Sequence, residues 1–300
     1  MTNFPIIDAH QHFWDLGMNK HPWLCGKNLI PFRYGDYSSI KRNYLPDDYR
    51  ADSFEFNVVK TVHMEAEWCA DDPLGETEWI MQLHKATGFP NAIIGQAWFT
   101  HNDIENVLES QASIPLMRSI RQKPAATACP RSFKAGTPGS MADPAFRAGY
   151  SALETHGLHF DLQTPWWHLQ EAADLARDYP KTTIILNHTG LPSDRTKEGI
   201  AKWKLSMETF AAQPNTAVKI SGICVLNKKW TAALNRDIVM ETIRIFGVER
   251  CMFASNFPVD GVVATFSEIF GGFAEIVSGL PKTDQQKLFH DNAIKYYRPA

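Results

Sequence analysis

Residues 6–14 read IIDAHQHFW. An apolar run ending in alternating polar residues is the signature of a buried strand that delivers side chains at its end. Period 2 in an extended segment aims His10 and His12 to the same side. Two such imidazoles can share a metal ion or flank a substrate carbonyl. Two ordinary histidines hydrogen-bonded near a strand end are the competing reading, and the rest of the chain decides between them.

Seven more short apolar runs follow: VVKTVHM (58–64), AIIGQAW (92–98), LMRSI (116–120), LHFDL (158–162), TTIILN (182–187), AVKIS (217–221) and CMFAS (251–255). Near-continuous apolar runs, partly β-branched and flanked by Gly, Pro or Asn, suit strands buried on both faces of a parallel sheet. Helix signals lie between them. Asp72-Pro73 predicts a helix start and Gly88 its stop. Asp143-Pro144 and Gly157 bracket another, and Thr283 with Gln286 reads as a capping box. Eight strands, each followed by a helix or a long loop, predict a single (β/α)8 barrel domain over residues 1–300. Residues 13–57 and 122–142 read as long loops after strands one and four, which in compact domains are functional or mobile. A doubly wound open sheet is the competing architecture, but no G-x-G-x-x-G follows the first strand.

Composition narrows the partners. The 30 basic and 33 acidic residues give a net charge of -3 with no block of like charge, which argues against nucleic acid and anionic membrane. Five widely spaced cysteines without a CxxC predict free thiols in a reducing compartment. No signal-peptide pattern and no membrane-length apolar stretch is present, so the expectation is a soluble, cytoplasmic protein acting on a small molecule. A homo-oligomer is compatible with this reading.

In a barrel, the C-terminal strand ends build the site. Read position by position, they supply His10 and His12; His63, Glu65 and Glu67; Arg118, Arg121 and Lys123; Asp161 and Gln163; Asn187 and His188; Lys219 and Ser221; and Asn256 with Asp260. So many polar groups would be costly in an ordinary core. His188 is a candidate third ligand or proton-transfer group. Arginine inside LMRSIRQ suits a carboxylate-binding fork, so Arg118 and Arg121 are candidate substrate anchors, with Gln163 and Asp260 beside them. Glu65 is a candidate base, or else an ion-pair partner of those arginines. The aromatics of the first loop and Trp166-Trp167 either line a pocket or pack loops onto the barrel. No G-x-S-x-G elbow is present.

IIDAHQHFW, SIRQ, FDLQ, NHTG (187–190), MFASNFP (252–258) and the closing DNAIKYY together resemble the amidohydrolase superfamily, and more narrowly its lactonase branch. The resemblance spans residues 6 to 297. It implies a distorted (β/α)8 barrel in which His10, His12 and His188 occupy the histidine positions and Arg121 grips a substrate carboxylate or oxygen. Most of that superfamily carries an aspartate after strand eight as metal ligand and general base; here the position is Asn256. The branch often reads DH at strand six, where this chain has Asn187-His188. Asparagine is neutral and cannot take a proton from water. The resemblance therefore implies either a site that works without metal or one divalent ion such as Zn2+ on His10, His12 and His188, weakly held. The base is then His188, one of the first two histidines, Glu65 or Asp260, with Asn256 orienting water or an oxyanion. The implied reaction is hydrolysis of a lactone of the sugar-acid or muconate type. Lactone isomerisation, and a binding barrel without catalysis, are the alternatives.

Overall fold

The computed structural model describes residues 4–300. Eight strands form one parallel sheet in sequence order: β1 (Ile6–Gln11), β2 (Val58–Met64), β3 (Ala92–Gln96), β4 (Met117–Arg121), β5 (His159–Leu162), β6 (Ile184–Leu186), β7 (Thr216–Ile220) and β8 (Cys251–Phe253). The strand ladders run from β1 to β8, and the seam between β8 and β1 is narrow. It is closed by residues just past β8. His12 N donates to Phe257 O (2.7 Å) and Asn256 N donates to His10 O (2.8 Å). The buried Asp8 carboxylate accepts from Ser255 N (2.9 Å) and from Tyr49 Oη (2.8 Å). The seam of the barrel thus joins the HQH and SNF segments backbone to backbone.

Each strand is followed by a helix: α1 (Pro46–Ser53), α2 (Gly75–Thr87), α3 (Ile104–Ala112), α4 (Pro144–Thr155), α5 (Leu169–Asp178), α6 (Lys197–Ala211), α7 (Ala232–Phe246) and α8 (Phe266–Ile276). Asp143 caps α4 through Ala145 N, and Gly88 ends α2 with φ 79°, as their sequence signals require. Two signals read differently in three dimensions. Asp72 accepts from Gly75 N (3.1 Å), so Pro73 and Leu74 form a turn ahead of α2 rather than its first residues. Thr283 lies inside the short helix Lys282–Gln286, which has no side-chain cap; the capping box belongs to Thr265 and Glu268 at the start of α8.

The barrel interior divides into two ends. Its lower half is filled by Ile7, Ala9, Val62, Ile94, Ile185 and Met252, among other small and apolar side chains, and is closed by Tyr296 and Tyr297 of the last helix (Asn292–Tyr297). The upper half is polar. The helices pack against the outer faces through the main apolar core, which includes Phe146, Trp203 and Phe273. All five cysteines are free. No helix among the described residues is long and apolar enough to cross a membrane.

Candidate active site

A bulge in β1 aims the histidines. Asp8 pairs with Thr61 and Gln11 with His63, so β1 spends three steps where β2 spends two. Below the bulge Ile7 and Ala9 face the interior; above it His10 and His12 do, while Gln11 turns to Thr61 and Phe13 stacks on His63. An extra residue in one strand inverts the inside–outside alternation, which is how bulges re-aim side chains.

His12 lines a cavity of about 400 Å³ at the C-terminal mouth, with Arg33, Arg121, Gln163, His188 and Asn256. His12 Nδ1 is 2.8 Å from Met64 O. A carbonyl only accepts, so Nδ1 carries the proton and Nε2 presents a lone pair. That lone pair faces Asn256 Oδ1 at 3.3 Å. The amide cannot turn to offer its N–H instead, because Asn256 Nδ2 donates to Asp260 Oδ1 (2.6 Å). Two acceptors therefore converge. The His10 ring stands 5.1 Å from that of His12 and 4.7 Å from that of His188, and neither of its buried nitrogens has a partner. His188 Nδ1 is 2.9 Å from Ser221 Oγ. Burial holds His10, His12 and His188 well below the ordinary imidazole range, with the nearby His188, Arg121 and Arg33 respectively adding the next contribution. All three are neutral at pH 7 and offer lone pairs.

Convergent acceptors with unfilled lone pairs are what a cation requires. Ligands about 2.1 Å from a tetrahedral zinc stand roughly 3.4 Å apart, close to the His12–Asn256 separation. His12 Nε2 and Asn256 Oδ1 are spaced to share one divalent ion, and the unpartnered nitrogens of His10 belong to the ring beside them. The expected trio of His10, His12 and His188 does not form a metal site by itself: among the described residues no group of three or more His, Cys, Asp or Glu side chains is placed to hold a metal ion.

Backbone strain concentrates here. Glu67 (φ 58°), His188 (φ 56°), Leu191 (φ 55°) and Asn256 (φ 56°) are all left-handed, and all line the cavity. Asparagine and histidine enter that region more often than most residues, but Glu67 and Leu191 do so at a cost. The NHTG turn is held in this shape by Trp203, whose Nε1 donates to Thr189 O (2.8 Å). Gly222 (φ 59°) is required for a second reason. A Cβ there would stand 2.4 Å from His188 Nδ1 and 2.9 Å from Arg33 Nη2.

The expected site residues separate into three groups. His12, Arg121, Gln163, His188 and Asn256 come together around the cavity, with His10 directly behind. Glu65 is buried and committed: it forms an ion pair with Arg121 Nε and accepts from Glu67 N (2.7 Å). It lies off the cavity wall, so it is a support for Arg121 rather than a free base. Asp260, expected to touch substrate, is also buried behind the wall. It accepts from Asn256 Nδ2 and Tyr34 Oη (3.0 Å) and lies 3.8 Å from Arg33 Nη2. It orients the asparagine instead. Arg118 is misplaced entirely. It sits at the opposite end of β4 and caps backbone carbonyls of Pro115, Met117, Tyr297 and Arg298. Arg118 and Arg121 differ by three positions, which on a strand means opposite faces as well as different heights.

Two cations went unassigned in the sequence. Arg33 comes from the first loop, flagged only by its length. Lys219 lies fully buried on β7, 2.8 Å from Asp161 Oδ1 and 4.6 Å above the Tyr297 ring; burial pushes its pKa down to about 8. His63 and Glu76 lie 3.2 Å apart. Burial lowers His63 and raises Glu76, so both shifts favour the neutral forms of the two groups in this contact. The aromatics also divide. Trp23 and Phe32 line the cavity, while Trp14, Tyr37 and Trp166 are packed into the core.

Known proteins resemble this chain over almost its whole length. The uncharacterised protein y4mH of Sinorhizobium fredii is 38% identical over 298 residues, covering 99% of this chain and all of the relative. An L-fucono-1,5-lactonase of Burkholderia ambifaria is 25% identical over 97% of this chain and 95% of its own. The crystal structure of an amidohydrolase from Burkholderia multivorans with bound zinc superposes with a TM-score of 0.80 at 20% identity, covering 99% of this chain and 100% of that one. Residues 7–298 match the family described as Amidohydrolase, and the chain belongs to that family.

Proposed function

We propose that this protein hydrolyses a lactone at the cavity where His12, His188 and Asn256 meet Arg121. The observation that carries the reading is the set of neutral, inward-facing histidines backed by an oriented asparagine at the barrel mouth. The relatives named for fuconolactone and rhamnonolactone hydrolysis support a cyclic ester as the substrate class.

A divalent ion shared by His12 and Asn256, when bound, would supply Lewis-acid polarisation of the carbonyl and acidify a water. The chain's own groups account for the proton. Asn256 has no basic site, and Glu65 and Asp260 are spoken for. His188 remains: it lines the cavity, is neutral, and is oriented by Ser221. With Nδ1–H donated to Ser221 Oγ, its Nε2 accepts a proton from the attacking water and returns it to the ring oxygen as the C–O bond breaks. The protonated ring is disfavoured by burial and by Arg33, so it gives that proton up readily. Arg121 uses three of its five N–H groups on Glu65 and Gln163. The other two are available to the substrate oxygen that gains charge.

The test is a panel of sugar-acid and carboxylated lactones followed by proton NMR, with and without chelator. Net ring opening is expected; conversion to another ring form without hydrolysis would indicate the isomerase instead, and no turnover of any lactone would overturn both.

A further inference from the structure

The first loop reaches Asn256 by a route that bypasses the cavity. From Cys25 to Arg33 no residue is buried, and Ile30, Pro31, Phe32 and Arg33 of that stretch wall the cavity. Tyr34, the next residue, is buried off the wall. Its hydroxyl donates to Asp260 Oδ1 (3.0 Å), the same oxygen that accepts from Asn256 Nδ2 (2.6 Å). The Arg33 guanidinium lies 4.7 Å over the Tyr34 ring, with Nη2 3.8 Å from that oxygen. The stretch that walls the cavity therefore ends on the carboxylate that turns the asparagine.

The asparagine needs this support because its orientation is unfavourable by itself. The barrel seam fixes its backbone, where Asn256 N donates to His10 O (2.8 Å), but leaves the amide plane to be set by its neighbours. As placed, Asn256 Oδ1 faces the His12 Nε2 lone pair at 3.3 Å, acceptor against acceptor. The reversed amide would donate Nδ2–H to that lone pair and gain a hydrogen bond. It would also abolish the pair of facing acceptors. Asp260 opposes the reversal, and a carboxylate fixes its neighbour only if it is itself fixed. Asp260 is buried, so its donors must come from the protein. The Cys224 thiol beside it is a weak donor; the strong ones, Tyr34 and Asn256, come from the first loop and from the segment after β8.

Resting on the lactonase reading, we propose that Tyr34 is a positioning residue. By donating to Asp260 it holds the Asn256 amide with its oxygen towards His12, so the loop that walls the cavity also sets the acceptor pair inside it. Tyr34 acts through Asp260 and not on the substrate.

The experiment compares wild type with Tyr34→Phe and Tyr37→Phe, by lactone kinetics and by calorimetric titration of chelator-treated protein with Zn2+. Tyr34→Phe keeps the ring beside Arg33 and removes the hydroxyl alone. Tyr37 anchors the same loop without reaching Asp260: its hydroxyl donates to Trp23 O (3.0 Å) and accepts from Ile30 N (3.0 Å). On any lactone that wild type opens, Tyr34→Phe is expected to lower kcat about tenfold or more with KM held within roughly threefold, and to weaken zinc about 10–100-fold. Tyr37→Phe is expected to keep kcat and zinc affinity within roughly threefold of wild type. Unchanged kcat in Tyr34→Phe, a loss confined to KM, an equal kcat loss in Tyr37→Phe, or zinc held equally by wild type and Tyr34→Phe overturns the proposal. If wild type takes up no zinc, the kinetics decide alone. If no lactone opens, the lactonase reading falls and zinc decides alone: affinity weakened about tenfold or more in Tyr34→Phe and kept in Tyr37→Phe sustains the proposal, and no zinc uptake by wild type overturns it.

Discussion

The two ends of the barrel are built on opposite principles, and β4 spans both. At the foot, Arg118 gives its N–H groups to carbonyls of the closing C-terminal segment, and Tyr297 fills the axis with its hydroxyl on Asp161. The residues there are satisfied by backbone and by packing. At the mouth, three positions along the same strand, Arg121 stands among left-handed residues, orphaned imidazole nitrogens and facing acceptors. Strain and unmet hydrogen-bonding potential are costly, and they persist where a ligand completes them. The foot stabilises the fold; the mouth is destabilised in the direction of binding.

Acid challenges this contrast most strongly. His21, His63 and His159 are lowered by burial, and in chelator-treated protein His10, His12 and His188 join them. A histidine with a folded pKa below its unfolded value lends stability that is present above about pH 6.5 and lost as pH falls towards the folded value. Each removes up to about 1.4 kcal/mol per pH unit below 6.5, until its folded pKa is reached. Glu76, Asp8 and Asp260, raised by burial, act in the opposite sense, but they are three groups against six. The midpoint of thermal unfolding should therefore drop steeply between pH 6.5 and 5, and a flat profile would show that these imidazoles are not buried neutral.

Removing the proton carrier comes next. His188→Asn is expected to lower kcat by about 10²–10⁴-fold, with KM changed little. Retained turnover would hand the role to another group.

The asparagine gives a sharper test. Asn256→Asp would set a carboxylate against Asp260 where an amide N–H now donates, at 1% exposure for both residues. It should cost about 2–4 kcal/mol in urea unfolding and not gain activity. Adding Asp260→Asn should recover most of that loss, because the donor–acceptor pair is restored in reverse. A double variant no more stable than the single would show the two sites to be uncoupled.

The foot yields the smallest effect. Arg118→Met should lose about 1–2 kcal/mol of stability through uncapped carbonyls while kcat/KM stays at the wild-type value. A kinetic defect there would break the separation of the two ends.

Much of this was legible in one dimension for a definite reason. Local chemistry announces buried parallel strands, helix stops such as Gly88, and HQH at a strand end, because each depends on residues a few positions apart. That is enough for a (β/α)8 barrel and for His10, His12, His188, Arg121 and Asn256 as mouth residues. What needed the tertiary structure was every assignment that depends on a distant partner. Glu65 is consumed by Arg121 across 56 positions, and Asp260 by Tyr34 across 226. Arg118 faces the tail 179 residues away. Arg33 reaches the cavity only because the first loop folds over the mouth, and no periodicity marks it. The sequence determined which side chains stand at the strand ends. Only packing decided which of them are already satisfied by the protein and which still have a bond to give.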